Sequence, residues 1–338
     1  MPIVAKGRTS RGVIASRCLT LAAIALALTS RGAGAAVCGQ HPQAAASLAR
    51  LSAAMAEGRF VSYQPTAITM ANGHATRASS ESIRADLAVL RPRFDSLLTY
   101  GALHGADEIP EVASSLGFRA VVIGVWNPFD PREIDAALNA ARAHPSLVVG
   151  LVVGNEWLFA RRPHGEGLAA RLAEIRARAP ALPIATTEPF HVFYPDAATP
   201  LLRELDFLAP NVHPAFQPWF RDAPSANAAA FVAGVVDELA ARFCGPIVVK
   251  ETGVPTAPAG AGFSAARQSD FYRALERRLP RSPERAFSYF AAFDAPWRVA
   301  DEQATPGIHP EEAHWGLYDA SRAAKPVVAG IPLLSGRD

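Results

Sequence analysis

Two short stretches put a carboxylate where an apolar run stops: "LVVGNEWLFA" over residues 151–160 and "IVVKETGVP" over residues 247–255. An ionised carboxylate buried without a partner is expensive, so Glu156 and Glu251 need a setting that uses them. Two opposed carboxyl groups are what cleavage of a glycosidic bond requires: one protonates the leaving oxygen, and the other attacks or activates water. A gap of about 5–5.5 Å gives a covalent intermediate and retention, whereas ~6.5–9.5 Å admits a water and gives inversion.

The two glutamates can meet only if the chain brings their strands together. Apolar, β-branched runs at 59–65, 94–101, 119–126, 146–156, 183–189, 206–214, 246–253 and 285–294 read as eight strands. Helical patterns separate them, at 80–90, 106–117, 130–144, 165–179, 197–205, 225–243 and 264–279. Gly117 stands where a helix C-terminus ends, and Asp130 followed by Pro131 reads as a helix start. Several strands are apolar on consecutive positions, as parallel strands covered on both faces are. Alternating strand and helix units of this number predict an α/β fold closed as a single (β/α)8 TIM barrel. An open doubly wound sheet is the alternative, but no G-x-G-x-x-G opens a helix.

In such a barrel the residues at the C-terminal ends of the strands line one mouth. Tyr63, Tyr100, Trp126, Asn155 with Glu156, Glu188, Asn211 with His213, Glu251 and Asp294 all fall there. One strand-end carboxylate is as readily an ion-pair partner as a reactive group; a whole set at one mouth points to a site. By the two-residue period of a strand, Lys250 is expected to point away from Glu251 and out of the site.

Composition bounds the rest. The 338 residues are 50% hydrophobic and 19% charged, a globular profile. Lys6, Arg8, Arg11 and Arg17 precede the apolar "CLTLAAIALALTS" and the small-residue "RGAGAAVC", the layout of a secretory signal over residues 1–36. Its apolar run is shorter than the ~20 residues of a membrane span. Without that segment and its five basic residues, Arg31 included, 28 of the 33 Lys and Arg face 31 acids, so the mature chain from residue 37 has no basic footprint for nucleic acid. Cys38 and Cys244 then remain as an even pair in an oxidising compartment and are expected to form one long-range disulfide. Neither Cys-x-x-Cys nor His-x-x-x-His occurs, and no metal site is expected.

"VVGNEW" and "VVKETGVP" resemble the acid/base and nucleophile segments of glycoside hydrolase family 17, whose usual forms are V-G-N-E-V and E-T-G-W-P. "YFAAFDAPWR" and "EEAHWGLYDA" within 289–320 resemble its closing segment, and the similarity runs thinly over nearly the whole mature chain. The resemblance implies a retaining (β/α)8 glycosidase or transglycosylase acting on β-glucan without a cofactor, in a divergent bacterial branch; the N-terminal segment implies export to periplasm or medium, and a monomer is expected. The resemblance also implies Glu156 as acid/base, Glu251 as nucleophile and Asn155 as holder of the sugar 2-hydroxyl. It extends the substrate-binding set to Tyr63, Trp126, Glu188, His213, Asp294, Trp297 and Glu312, with Trp126 and Trp297 the favoured stacking platforms, since a pyranose offers an apolar face to an aromatic ring. His213 is expected to bond the nucleophile, and Glu188 to line a subsite or back up Glu156. Two departures stand out: Val254 where the family has Trp, and Leu98 where many relatives have Arg. A non-catalytic carbohydrate-binding or glucan-assembly barrel is the second reading, disfavoured by the intact carboxylate pair. An esterase lacks its G-x-S-x-G elbow.

Overall fold

Seven parallel strands form one sheet. They are Phe60–Tyr63, Ser96–Thr99, Ala120–Val125, Val148–Asn155, Ile184–Thr187, Ile247–Thr252 and Arg285–Tyr289. The computed structural model describes residues 36–39, 41–71, 74–160, 165–300 and 309–334, so nearly all of the expected export segment lies outside the described residues. Counting barrel positions in chain order, with residues 208–211 as the sixth, the sheet runs fifth, fourth, third, second, first, eighth, seventh.

The sixth position closes the ring by isolated bridges rather than by a continuous strand: Pro189 with Asn211 on one side, Leu208 with Ile247 and Asn211 with Glu251 on the other. Pro210 has no N–H to give a ladder, yet its carbonyl still accepts from Lys250 N at 2.9 Å. All described residues fall in one compact unit. The eight-position barrel expected from the sequence is therefore present.

Helices cover the outside where their patterns place them. Asp130 caps Pro131–Ala143 by accepting from Arg132 N, and Gly117 adopts φ +71° just past Ile109–Ser115. One element was not anticipated. The helix Ala45–Glu57 precedes the first strand and packs Leu51, Ala54 and Met55 against Leu98, Val122, Val149, Val152 and Val248, side chains of the barrel interior. It stoppers the end opposite the strand C-termini. Burying Leu51 and Met55 in this way contributes about 1.5–3 kcal/mol each.

The chain start is fastened as well. Val37 pairs with Phe243, and Cys38 is disulfide-bonded to Cys244 with Cα atoms 5.1 Å apart. No described helix is long and apolar enough to cross a membrane.

Candidate active site

The fourth strand delivers the first carboxylate through an irregularity. Val152 pairs with Ala185 and Asn155 with Thr187, so three steps on one strand match two on its neighbour, a bulge that re-aims the side chains beyond it. Gly154 sits at φ +88°, a conformation glycine adopts freely. Glu156 follows at φ +52° and leads into the short helix Trp157–Ala160. Its backbone N–H is held by Thr187 O at 2.8 Å. Its Oε1 accepts from Asn211 Nδ2 at 2.8 Å. Thr187 Oγ1, whose single proton goes to Ala209 O at 2.6 Å, lies 3.0 Å from Asn211 Oδ1. Burial first, then the charge of Glu251, raise the Glu156 carboxyl above its ordinary value.

The seventh strand carries a matching irregularity. Val249 pairs with Phe287 and Thr252 with Tyr289, again three steps against two. The extra residue cancels the two-residue alternation and turns Lys250 and Glu251 toward the same chamber. Lys250 is therefore not outside the site, as the period had implied: it is 1% exposed. Its Nζ lies 2.8 Å from Asn155 Oδ1, 3.5 Å from Glu251 Oε1 and 4.2 Å from the centre of the Tyr100 ring. His213 Nε2 meets Glu251 Oε2 at 3.2 Å, and because an ionised carboxylate only accepts, that nitrogen carries the proton. Burial alone would push Glu251 up; Lys250, His213 and Arg298 outweigh it and hold this carboxyl at about 2.

Aromatic rings wall the chamber. Tyr100, Phe290 and Trp315 form a small cluster of their own, and His213 stands edge-on to Phe290 and Trp315, 5.3 Å from each. Beside it opens a cleft of about 410 Å³ whose lining includes Ser62, Asp294, Trp297, Arg298, Glu312 and Trp315. Asp294 Oδ1 accepts from Lys325 Nζ at 2.7 Å and Gly316 N at 2.8 Å. Glu312 lies 3.9 Å from Arg298, and burial raises its carboxyl against that positive charge.

The expected residues thus divide. Glu251, Asn155 and His213 meet in one hydrogen-bonded group with Lys250, Glu156 bonds Asn211, and Asp294, Trp297 and Glu312 line the adjoining cleft. Trp126 ends the third strand 48% exposed, outside that cleft's lining.

Two assignments need correction. Tyr63 does not bind at the mouth: it is fully buried between barrel and helix layer, its hydroxyl donating to Asp86 at 2.9 Å. The inward residue of the first strand is Ser62, which donates to Lys250 O and contacts Ser288. Glu188 does not line a subsite either. It is fully buried, and its two oxygens accept from Leu158 N at 2.8 Å and Phe159 N at 3.1 Å, bracing the short helix that follows Glu156. Burial pushes its carboxyl up to about 7. Of the two departures from the family pattern, Leu98 belongs to the barrel interior and Val254 is buried in the outer core.

Residues 61–316 match the family profile described as the BtgE/BtgC glycoside hydrolase domain. The chain belongs to this glycoside hydrolase family. A glucan 1,3-β-glucosidase of Arthroderma benhamiae is 27% identical over 261 residues, 71% of this chain and 82% of the relative. The crystal structure of a glycoside hydrolase family 17 β-1,3-glucanosyltransferase from Rhizomucor miehei superposes with a TM-score of 0.60 at 22% identity, covering 80% of this chain and 96% of that one. An endo-laminarinase from Formosa Hel1_33_131 gives 0.61 at 19% identity, with 80% and 86% covered. The glycosidase kinship and the barrel expected from the motifs are borne out, and this family member is a glycoside hydrolase or transglycosylase.

Proposed function

We propose that the protein is an exported, retaining β-glucan hydrolase or transglycosylase with Glu156 as acid/base and Glu251 as nucleophile. The observation that carries this reading is the opposed electrostatic setting of the pair. Glu156 is biased toward the protonated form by burial and by its neighbour's charge, while Glu251 is kept ionised at about 2. Two carboxyls driven apart in this way divide into an acid and a nucleophile.

In the first step Glu251 attacks the anomeric carbon. The bonding pair of the breaking C–O bond passes to the leaving oxygen, which takes the Glu156 proton. In the second, Glu156 as carboxylate removes a proton from water or from an acceptor sugar hydroxyl. That oxygen displaces Glu251 from the anomeric carbon, giving net retention. Asn155 faces the 2-hydroxyl, and Asp294, Trp297 and Glu312 bind neighbouring sugar units. No cofactor takes part. The names of the Arthroderma and Rhizomucor relatives favour β-1,3-linked glucan as the first substrate to try, and the Cys38–Cys244 bridge fits an oxidising compartment.

The test is product formation from linear β-1,3-, β-1,2- and β-1,6-glucans by wild type and Glu251→Gln, followed by mass spectrometry and anomeric NMR. Products from wild type alone, with the β-anomer first, support a retaining enzyme, and larger oligomers identify transfer. Silence from both proteins with binding intact would overturn the reading in favour of a non-catalytic barrel.

A further inference from the structure

We infer that Lys250 is the positioning residue that joins the two halves of the site: its ammonium holds Glu251 in the attacking form and fixes the orientation of Asn155. This rests on the reading of Glu251 as nucleophile and deepens it.

The geometry is specific. Lys250 Nζ sits between Asn155 Oδ1 at 2.8 Å and Glu251 Oε1 at 3.5 Å, above the Tyr100 ring at 4.2 Å. A lysine ammonium has three donors and no acceptor. The atom of Asn155 that it touches must therefore be the carbonyl oxygen, and the amide N–H2 is left to face the sugar. Asn155 is thereby committed to donate to the substrate 2-hydroxyl oxygen. Lys250 is in phase with the inward Val248, and the bulge on the seventh strand is what brings the adjacent Glu251 inward beside it.

Burial lowers the Lys250 ammonium, and the charges of Glu251 and Glu156 oppose that. The remaining groups acting on Glu251 are His213 from the sixth barrel position, Arg298 from beyond the eighth strand, Glu312 near Arg298, Tyr100 after the second strand and Glu156 after the fourth. Among the influences that oppose burial at Glu251, the Lys250 charge comes first.

The experiment compares wild type, K250M and K250Q on the glucan that wild type cleaves, with folding checked by circular dichroism. Loss of an opposite charge at this distance moves the acidic limb of kcat/KM upward by about one to three pH units, in both variants. K250Q, which still offers an N–H to Asn155 Oδ1, retains more activity at the pH optimum than K250M. A merely structural role lowers activity without moving the limb, so folded variants with an unshifted acidic limb overturn the proposal.

Should neither variant fold, thermal melting of E251Q against K250M/E251Q decides the matter. E251Q leaves a buried cation without its anion, and the double variant removes both charges, so the double variant should melt higher. A melt equal to or below that of E251Q overturns the coupling. Wild type and E251Q being equally inactive would instead defeat the reading of Glu251 itself.

Discussion

Replacing Glu188 with Gln isolates a buried carboxyl whose protonation is tied to folding. Glu188 is fully buried, and its charge is opposed by burial, partly offset by the N–H groups of Leu158, Phe159 and Trp157. In the folded protein it titrates at about 7, against an ordinary value of 4.5. Because the folded value lies above the unfolded one, the native state holds the proton more tightly. This contribution to stability is complete below about pH 4.5 and is lost as pH rises through 7. The gap corresponds to roughly 3 kcal/mol at ~1.4 kcal/mol per pH unit.

Glu188→Gln imitates the protonated acid and cannot titrate. Urea unfolding of both proteins at pH 4.5, 5.5, 6.5 and 7.5, disulfide intact, should show wild type losing roughly 3 kcal/mol relative to the variant across that range. Other titrating groups are common to both proteins and cancel in the difference. Activity should fall as well, because an amide presents one acceptor where two N–H groups were met, loosening the helix behind Glu156. Parallel pH curves for the two proteins would refute the account of Glu188 as a brace held neutral by burial.

Three further changes separate structure from chemistry. Tyr63→Phe removes the bond to Asp86, and should lower unfolding free energy by about 1 kcal/mol while leaving glucan kcat/KM unchanged; a rise in KM would return Tyr63 to the sugar site. Cys38→Ser with Cys244→Ser opens a loop of sequence separation 206, and should lower stability by up to about 5 kcal/mol on the chain-entropy relation, measured by denaturant unfolding, with native-state kinetics retained. Gly154→Ala meets no close atom, the nearest being Thr186 Oγ1 at 3.4 Å, so the strain comes from φ +88°. It should cost about 1–2 kcal/mol in stability and more than tenfold in kcat, since relaxing that strain moves Glu156.

Much of this was legible in the sequence because it follows from polarity and period. Eight apolar runs predict eight barrel positions, and Asp130 and Gly117 mark helix ends by chemistry that needs no tertiary context. The carboxylates stand out because an unpartnered charge at the end of a buried strand is expensive. The stopper Ala45–Glu57 is not legible in the sequence, because an Ala-rich helix before the first strand looks like a continuation of the leader. Tyr63 and Glu188 both end strands, yet strand-end position does not say which side a residue faces. For Tyr63 one residue of phase decides between mouth and outer layer, and Asp86 takes it outward. For Glu188 the deciding feature is a pair of backbone N–H groups from the short helix Trp157–Ala160, which no side-chain pattern records. The bracing role of Glu188 follows from asking what satisfies the start of the helix after Glu156.

Lys250 shows the deeper limit. Strict alternation sends residues 250 and 251 to opposite faces, and the inference failed because the strand is not regular there. The fourth strand breaks its register in the same way just before Asn155. Both irregularities fall next to a carboxylate of the pair, at the positions where the ladder would otherwise dictate orientation. A regular strand offers one inward side chain per two residues. The bulges let consecutive residues share the chamber, so that Asn155, Lys250 and Glu251 can bond to one another across the barrel. The apolar runs that make the sheet regular are thus what position the site, and the two places where regularity fails are what give it its chemistry.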